Sequence, residues 1–232
     1  MKKSAMFLLW LGASISISEI FTGGLLAPLG LAKGLAVIVF GHLIGCGLLA
    51  FGGYVSFSRQ QNAMSCVAAA LGPRGGALVA LCNVLQLIGW TIIMIVQAGA
   101  ALTSLMDGLS FSLAALILSA LIMLWALIFG SPVGRLNDVA VVLLLALCLV
   151  FFGQVLAADA QPADLSRHIS LPLAMELSIT MPISWLPLIG DYSCRAGDKS
   201  TAVAWPFFGY FLGSVFMYSV GLLISLSTGR DI

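Results

Sequence analysis

Seven apolar runs divide this chain, each close to the twenty or so residues that an α-helix rising about 1.5 Å per residue needs to cross a bilayer. They cover residues of about 6–29, 35–57, 77–102, 113–129, 139–156, 171–189 and 205–226. Lipid offers a backbone N–H or C=O no partner, so segments of this kind satisfy their own polar groups as helices. The expected fold class is all-α: a polytopic membrane protein of about seven transmembrane helices, with a single transmembrane domain over residues 1–232. Composition agrees, with 61% hydrophobic and 8% charged residues and a mean hydropathy of +1.12, outside the range of soluble domains.

The formal net charge is +1 and the basic residues are scattered, so no nucleic-acid partner is implied and the lipid bilayer is the expected surroundings. The opening MKKSAMFLLW is like the start of a signal peptide. Its apolar run continues past signal length with no small-residue cleavage site before Glu19, which reads as a retained first span. Five cysteines (Cys46, Cys66, Cys82, Cys148, Cys194) show neither close pairing nor metal spacing and read as small hydrophobes. His42 and His168 have no cysteine at ligand spacing, so no metal site is expected. Cytoplasmic loops carry the Lys/Arg excess. A cytoplasmic N-terminus puts Lys2, Lys3, Arg59, Arg74, Arg135, Arg195 and Lys199 inside against Lys33, Arg167 and Arg230 outside. The polar segment 157–170 then becomes the longest external loop.

Within the first run lies SISISEIFTGG, residues 14–24. Its one acidic residue, Glu19, costs at least about 2.5 kcal/mol near the bilayer centre, and a residue of that kind marks an ion or substrate path. Gly23 and Gly24, with the neighbouring hydroxyls, make a weak helix that is expected to break there. Broken backbone at that depth is tolerated where it lines a cavity. The third run carries Asn83, Gln86, Trp90, Met94 and Gln97 at spacings of three and four, hence on one helical face. That amide-and-aromatic stripe is expected to look into the bundle, either for interhelical hydrogen bonds or for a ligand. The sixth run, LPLAMELSITMPISWLPLIGDYS, holds Pro182, Pro187 and Gly190 and is interrupted like the first. Paired interrupted helices in corresponding halves are the sequence pointer to a transporter site. The two runs lie five apart with opposite predicted directions, the arrangement of a five-plus-five inverted repeat. The first repeat covers about 6–156, and an incomplete second repeat covers about 171–232.

Three stretches, WLGASISISEIFTGGLLAPLG, GWTIIMIVQAGAAL and SWLPLIGDYSCRAGDKS, together resemble the nucleobase:cation symporter-1 family of permeases for cytosine, purines, allantoin and hydantoins, and within it the hydroxymethylpyrimidine permease-like branch. The resemblance implies ten core spans, with substrate at the midplane between broken first and sixth helices. A flat heterocycle would stack between aromatics on the third and sixth spans, positions that Trp90 and Trp185 match. Aromatic faces bind planar rings, and amides beside them pair with ring edges. Against that pattern, a chain ending after its seventh run is expected to be truncated, with half of an ion site.

The expected function is a secondary active transporter, a cation-coupled symporter in the inner (cytoplasmic) membrane, importing a pyrimidine-like heterocycle such as hydroxymethylpyrimidine or cytosine. A purine, allantoin or amino-acid permease of the same fold, or a truncated membrane scaffold that transports nothing, are the alternatives. Glu19, Trp90, Gln97, Trp185, Met94 and Gln86 are the substrate-binding candidates. Ser16, Ser18 and Glu19 form the ion half-site, with sodium or a proton as coupling ion and no cofactor. Glu19 can pair with an aminopyrimidine edge, one proton being shared between ring and acid, or carry the coupling proton itself. Asp191 and Arg195, at the cytoplasmic end of the sixth span, are expected to form a structural pair or gate. His42, beside Gly41, Gly45 and Gly47, is expected to be a packed neutral imidazole, and Glu176 to be solvated. The spans contain no Ser/His/Asp, paired-Asp or metal-ligand arrangement, so the chain is not read as an enzyme.

Overall fold

A computed structural model of the chain describes residues 1–129, 135–157 and 168–228. Arg167 and Arg230, both used to predict orientation, lie outside the described residues, as do most of the predicted external loop 157–170 and the C-terminal residues 229–232. The elements are α1 (Lys3–Ser14), α2 (Ile17–Gly24), a 3₁₀ turn (Ala27–Leu29), α3 (Gly30–Arg59), α4 (Ala63–Leu105), α5 (Phe111–Phe129), α6 (Arg135–Ala157), α7 (Leu171–Ile183), α8 (Leu186–Ser193) and α9 (Lys199–Thr228). Among the described residues there is no strand. Four helical stretches, Ile17–Arg59, Ala63–Leu105, Leu171–Ser193 and Lys199–Thr228, are long and apolar enough to cross a membrane. Shorter apolar stretches, Phe111–Leu127 and Asp138–Val150, lie within α5 and α6.

The first apolar run is broken at Ile15 and Ser16, and its second segment, α2, then ends at the glycine pair, giving way to the 3₁₀ turn. The helix stops at Ser14, passes through extended Ile15 and Ser16, and restarts at Ile17. Ser16 caps the restart, its Oγ accepting from the Glu19 backbone N–H at 3.2 Å. Gly23 and Gly24 stay helical at the end of α2. The smallness of Gly23 serves packing: a Cβ on it would overlap the Tyr218 carbonyl, and one on Gly221 of α9 would overlap the Ile20 carbonyl. Close helix approach therefore accounts for Gly23.

The second interruption falls between α7 and α8. Pro182 sits in the last turn of α7 and Pro187 in the first turn of α8. Neither carries a backbone N–H, so the ladder shifts to shorter bonds, Trp185 N–H to Pro182 O at 3.2 Å and Leu188 N–H to Trp185 O at 2.9 Å. A third bend lies in α4, where Gly72 takes φ 74° immediately before Pro73. Glycine accepts that left-handed conformation without strain, and proline opens the long straight segment behind it.

α9 is the central post. It packs along α1 and α2 on one side and α3 on another, while α7 and α8 pack against α3 and Tyr218 OH of α9 donates to the Leu177 carbonyl of α7 at 3.0 Å. α4 joins the bundle through α8 and α2 and carries α5 on its outer side. α4, α5 and α6 leave leucine and isoleucine side chains such as Leu85, Ile92, Leu116, Leu121, Leu143 and Leu147 more than half exposed, a surface suited to lipid. Two apolar clusters fill the interior. One holds Met6, Trp10, Cys46, Leu49, Ile189 and Tyr210, and the other Leu26, Val37, Ile38, Ala174, Tyr218 and Leu222. α9 contributes Tyr210 to the first and Tyr218 to the second, and the polar layer between them contains Ser214.

Basic residues gather at one end of the bundle. The Met1 ammonium donates to the Arg195 carbonyl at 2.8 Å, and Lys199 Nζ sits 4.6 Å from the centre of the Tyr54 ring. α1 starts at this end and α8 finishes there, so the two interrupted spans run in opposite directions.

Candidate functional site

The two interruptions face a common cavity of about 280 Å³. Ala13, Ser16, Ser18 and Glu19 line it from the first break, and Met181, Ser184, Trp185 and Leu188 from the second. Gln86, Trp90 and Met94 line it from α4, Ile122 from α5 and Tyr210 from α9. The stripe read from the third run thus faces inward. Asn83, Gln86, Trp90, Met94 and Gln97 are half-buried, while intervening Val84, Leu85, Ile88, Ile92, Ile93 and Val96 are exposed.

Five of the six substrate-binding candidates line this cavity: Glu19, Gln86, Trp90, Met94 and Trp185. Gln97 does not. One turn beyond Met94, it borders a neighbouring cleft, and its Oε1 accepts from Ser18 Oγ at 2.7 Å. That bond also engages the Ser18 hydroxyl expected at the ion half-site, and the Ser16 hydroxyl is engaged in the α2 cap. Gln86 has a defined structural task. Its Nε2 donates to the Ser184 carbonyl at 2.6 Å, a group the α7–α8 break has removed from the helical ladder, since Leu188 N–H bonds to Trp185 O. Trp185 stands at the same break and meets Trp10 edge-on with ring centres 5.9 Å apart. Asn83 points inward, yet its Oδ1 is buried without a partner.

Glu19 is 1% exposed and held from α9. Tyr210 OH donates to its Oε1 at 2.8 Å and Ser214 Oγ lies 2.6 Å from its Oε2. Each carboxylate oxygen has one more lone pair, so the group can still meet a ligand's donor at the cavity wall. Behind Ser214 stands His42, fully buried, its Nε2 2.6 Å from Ser214 Oγ and its Nδ1 2.8 Å from the Ile38 carbonyl. The Tyr218 ring closes over it edge-on at 4.6 Å. His42 is therefore packed as expected, with Gly41 and Gly45 set against Ser178, Ile179 and Pro182 of α7; Gly47 faces open space. Its connection to Glu19 was not expected.

Tyr210, Ser214 and Tyr218 were missed as site residues. Their signal in the sequence is three hydroxyl side chains spaced by four, hence one face of an otherwise apolar helix. Asp191 and Arg195 do not pair: among the described residues neither makes an ion pair. α8 ends at Ser193, so the helical register that would bring positions four apart together is lost before Arg195, which is exposed. Glu176 is exposed, as expected. Among the described residues no group of three or more His, Cys, Asp or Glu is placed to hold a metal ion.

No protein-family model, curated protein or solved structure matches the chain.

Proposed function

We propose that this chain forms the substrate-binding part of a secondary active transporter, a cation-coupled symporter importing a pyrimidine-like heterocycle of the hydroxymethylpyrimidine or cytosine type. The observation that carries the reading is the cavity at the paired breaks, lined by Trp90 and Trp185 together with Glu19 and Gln86. Its volume of about 280 Å³ is at the small end of ligand sites and suits a single ring. Indole faces supply dispersion and quadrupole contacts to a planar heterocycle. The free lone pairs of the Glu19 carboxylate suit the amine and ring N–H edge of an aminopyrimidine.

The opposite directions of the two interrupted spans support a partial five-plus-five inverted repeat, the first repeat over about 6–156 and the incomplete second over about 171–232. The clustering of Met1, Arg195 and Lys199 at one end supports a cytoplasmic N-terminus, in an inner membrane. Sodium or a proton is the coupling ion, with Ser16, Ser18 and Glu19 contributing.

The test is ligand binding to the purified chain in micelles, read by tryptophan fluorescence with hydroxymethylpyrimidine, cytosine and hydantoin. Saturable quenching by one of them is expected, and Trp90→Ala should remove most of it. Absence of a saturable response to all three, or an undiminished response in both Trp90→Ala and Trp185→Ala, would overturn the reading.

A further inference from the structure

From the Glu19–Ser214–His42 geometry we infer a buried proton-binding site in which one proton is shared across the Ser214 hydroxyl between a cavity-wall carboxyl and an imidazole behind it. Ser214 Oγ lies 2.6 Å from Glu19 Oε2 and 2.6 Å from His42 Nε2, and these three residues come from α2, α9 and α3.

The donor roles follow from the chemistry of the groups. A carbonyl oxygen only accepts, so His42 Nδ1 must carry a hydrogen and donate it to Ile38 O. His42 Nε2 is then bare in the neutral ring and protonated in the imidazolium. The Ser214 hydroxyl has one hydrogen and faces two groups. When Glu19 is the acid, Oε2–H donates to Ser214 Oγ and Ser214 donates to bare Nε2. When Glu19 is ionised, Ser214 donates to Oε2 and Nε2–H donates to Ser214 Oγ. Both chains are fully hydrogen-bonded and carry the same total charge.

The other two occupancies are not matched by the site. With a carboxylate and a neutral ring, one hydroxyl hydrogen faces two acceptors, and one contact is left without a hydrogen. With a carboxylic acid and an imidazolium, two donors converge on Ser214 and a net charge is buried between two apolar clusters. The geometry therefore selects a single proton for the pair. Its movement is balanced: Oε2–H breaks as a new Ser214 O–H forms, while the original Ser214 O–H breaks as Nε2–H forms. Nothing is oxidised or reduced.

Among the described residues, the other titratable side chains near Glu19 are Cys46 on α3 and Tyr210 and Tyr218 on α9. Tyr210 donates to Oε1, on the opposite side of the carboxyl from the relay. α7 brings Ser178, buried and without a partner, and α4 brings Gln86, Trp90, Thr91 and Met94, so among the described residues no fixed charge from the packed helices competes for the proton. A ligand that donates to Glu19 would favour the carboxylate and drive the proton inward to His42. One that accepts from Glu19 would hold it at the carboxyl. This coupling rests on the proposed binding cavity; the relay itself does not.

The experiment needs no ligand. The chain has two histidines, so His168→Ala leaves His42 as the sole imidazole signal for nitrogen-15 NMR of the protein in micelles. The Glu19 carboxyl is followed by its infrared C=O band, assigned by its loss in Glu19→Gln. Across the pH interval in which the pair holds one proton, the protonated-carboxyl fraction and the bare-Nε2 fraction are expected to be equal and constant. Ser214→Ala should narrow that interval by at least about one pH unit, and Ser214→Thr, which keeps the hydroxyl, should restore it. If Ser214→Ala does not fold, Glu19→Gln serves: its amide cannot ionise, so His42 should be wholly bare at Nε2 across the interval in which the parent shares its proton. An ionised carboxylate beside a bare Nε2 as the state at neutral pH, a one-proton interval of unchanged width in Ser214→Ala, or a bare-Nε2 fraction unaltered by Glu19→Gln would each overturn the relay. Failure of heterocycle binding with the titrations intact would count against the proposed function alone.

Discussion

Tyr210 donates its phenolic hydrogen to Glu19 at 2.8 Å across 191 residues of chain, fastening the restarted half of the first span to the central post α9. Both side chains are fully or almost fully buried. Removing one partner of such a pair leaves the other unsatisfied, which costs about 1–3 kcal/mol. Tyr210→Phe should therefore lower thermal stability in micelles, read by circular dichroism, while Tyr54→Phe, whose ring is 39% exposed, should change it little.

Gly221 meets backbone, not flexible side chain: a Cβ there would overlap the Ile20 carbonyl and approach the Gly24 nitrogen. Neither can rotate away, so α9 must shift from α2. Gly221→Ala is expected to destabilise by about 1–3 kcal/mol, the usual cost of overpacking. Gly47→Ala adds a methyl where nothing lies within 4 Å, and should be neutral or stabilise by roughly 0.5–1 kcal/mol through backbone entropy. Denaturant titration of the two variants checks the contrast.

Gln86 holds the loose carbonyl at the second break. Gln86→Leu should leave Ser184 O unpartnered, cost about 1–3 kcal/mol and speed hydrogen exchange at Trp185 and Leu188. The same variant should weaken heterocycle binding, because Trp185 stands on that break.

Glu19→Gln keeps size but loses the charge and one acceptor. Insertion and helix content should survive, while heterocycle binding should fall at least about tenfold, corresponding to roughly 1.4 kcal/mol. Equal quenching curves for the parent and the variant would remove Glu19 from the binding site.

Asp198, just before α9, accepts from the Thr201 backbone N–H at 2.9 Å and from its hydroxyl at 2.8 Å. These bonds favour the carboxylate, the backbone one most, and hold Asp198 below the ordinary carboxylate range. A group depressed on folding stabilises the fold above its unfolded titration and loses that contribution as pH falls through its folded value. Acidification into the range below ordinary carboxylate titration should therefore fray the start of α9. Asp198→Asn should flatten that pH dependence, as read by circular dichroism between neutral and acidic buffers.

Part of the site was legible before any coordinates. The polar stripe on α4 follows from spacing, because residues three and four apart share a helical face in any surroundings. The second interruption follows from Pro182 and Pro187, whose missing N–H groups break the ladder wherever the helix lies. The first interruption was legible too, at a different place. Ser16-Ile17-Ser18-Glu19 has the S-x-x-E form of a helix start, and the helix does restart there. At the glycine pair, where helix propensity is poor, α2 ends, while the absence of a Cβ at Gly23 also admits the close approach of α9. Even the start signal is half-used: Ser16 caps, while the Glu19 side chain leaves its cap for Tyr210 and Ser214.

Hydropathy by itself determined that this chain is helical and suited to a bilayer, since long apolar runs must satisfy their own backbone groups. Proline placement and polar periodicity determined one break and the face α4 turns inward. Only the tertiary structure decided that Glu19 meets Ser214, that Ser214 meets His42, and that Gln97 turns to Ser18 instead of the main cavity. Those pairings depend on which helix faces come into register across more than 70 residues of chain. Local spacing carries no information about that register, because it is set by close packing at positions such as Gly23, Gly41 and Gly221.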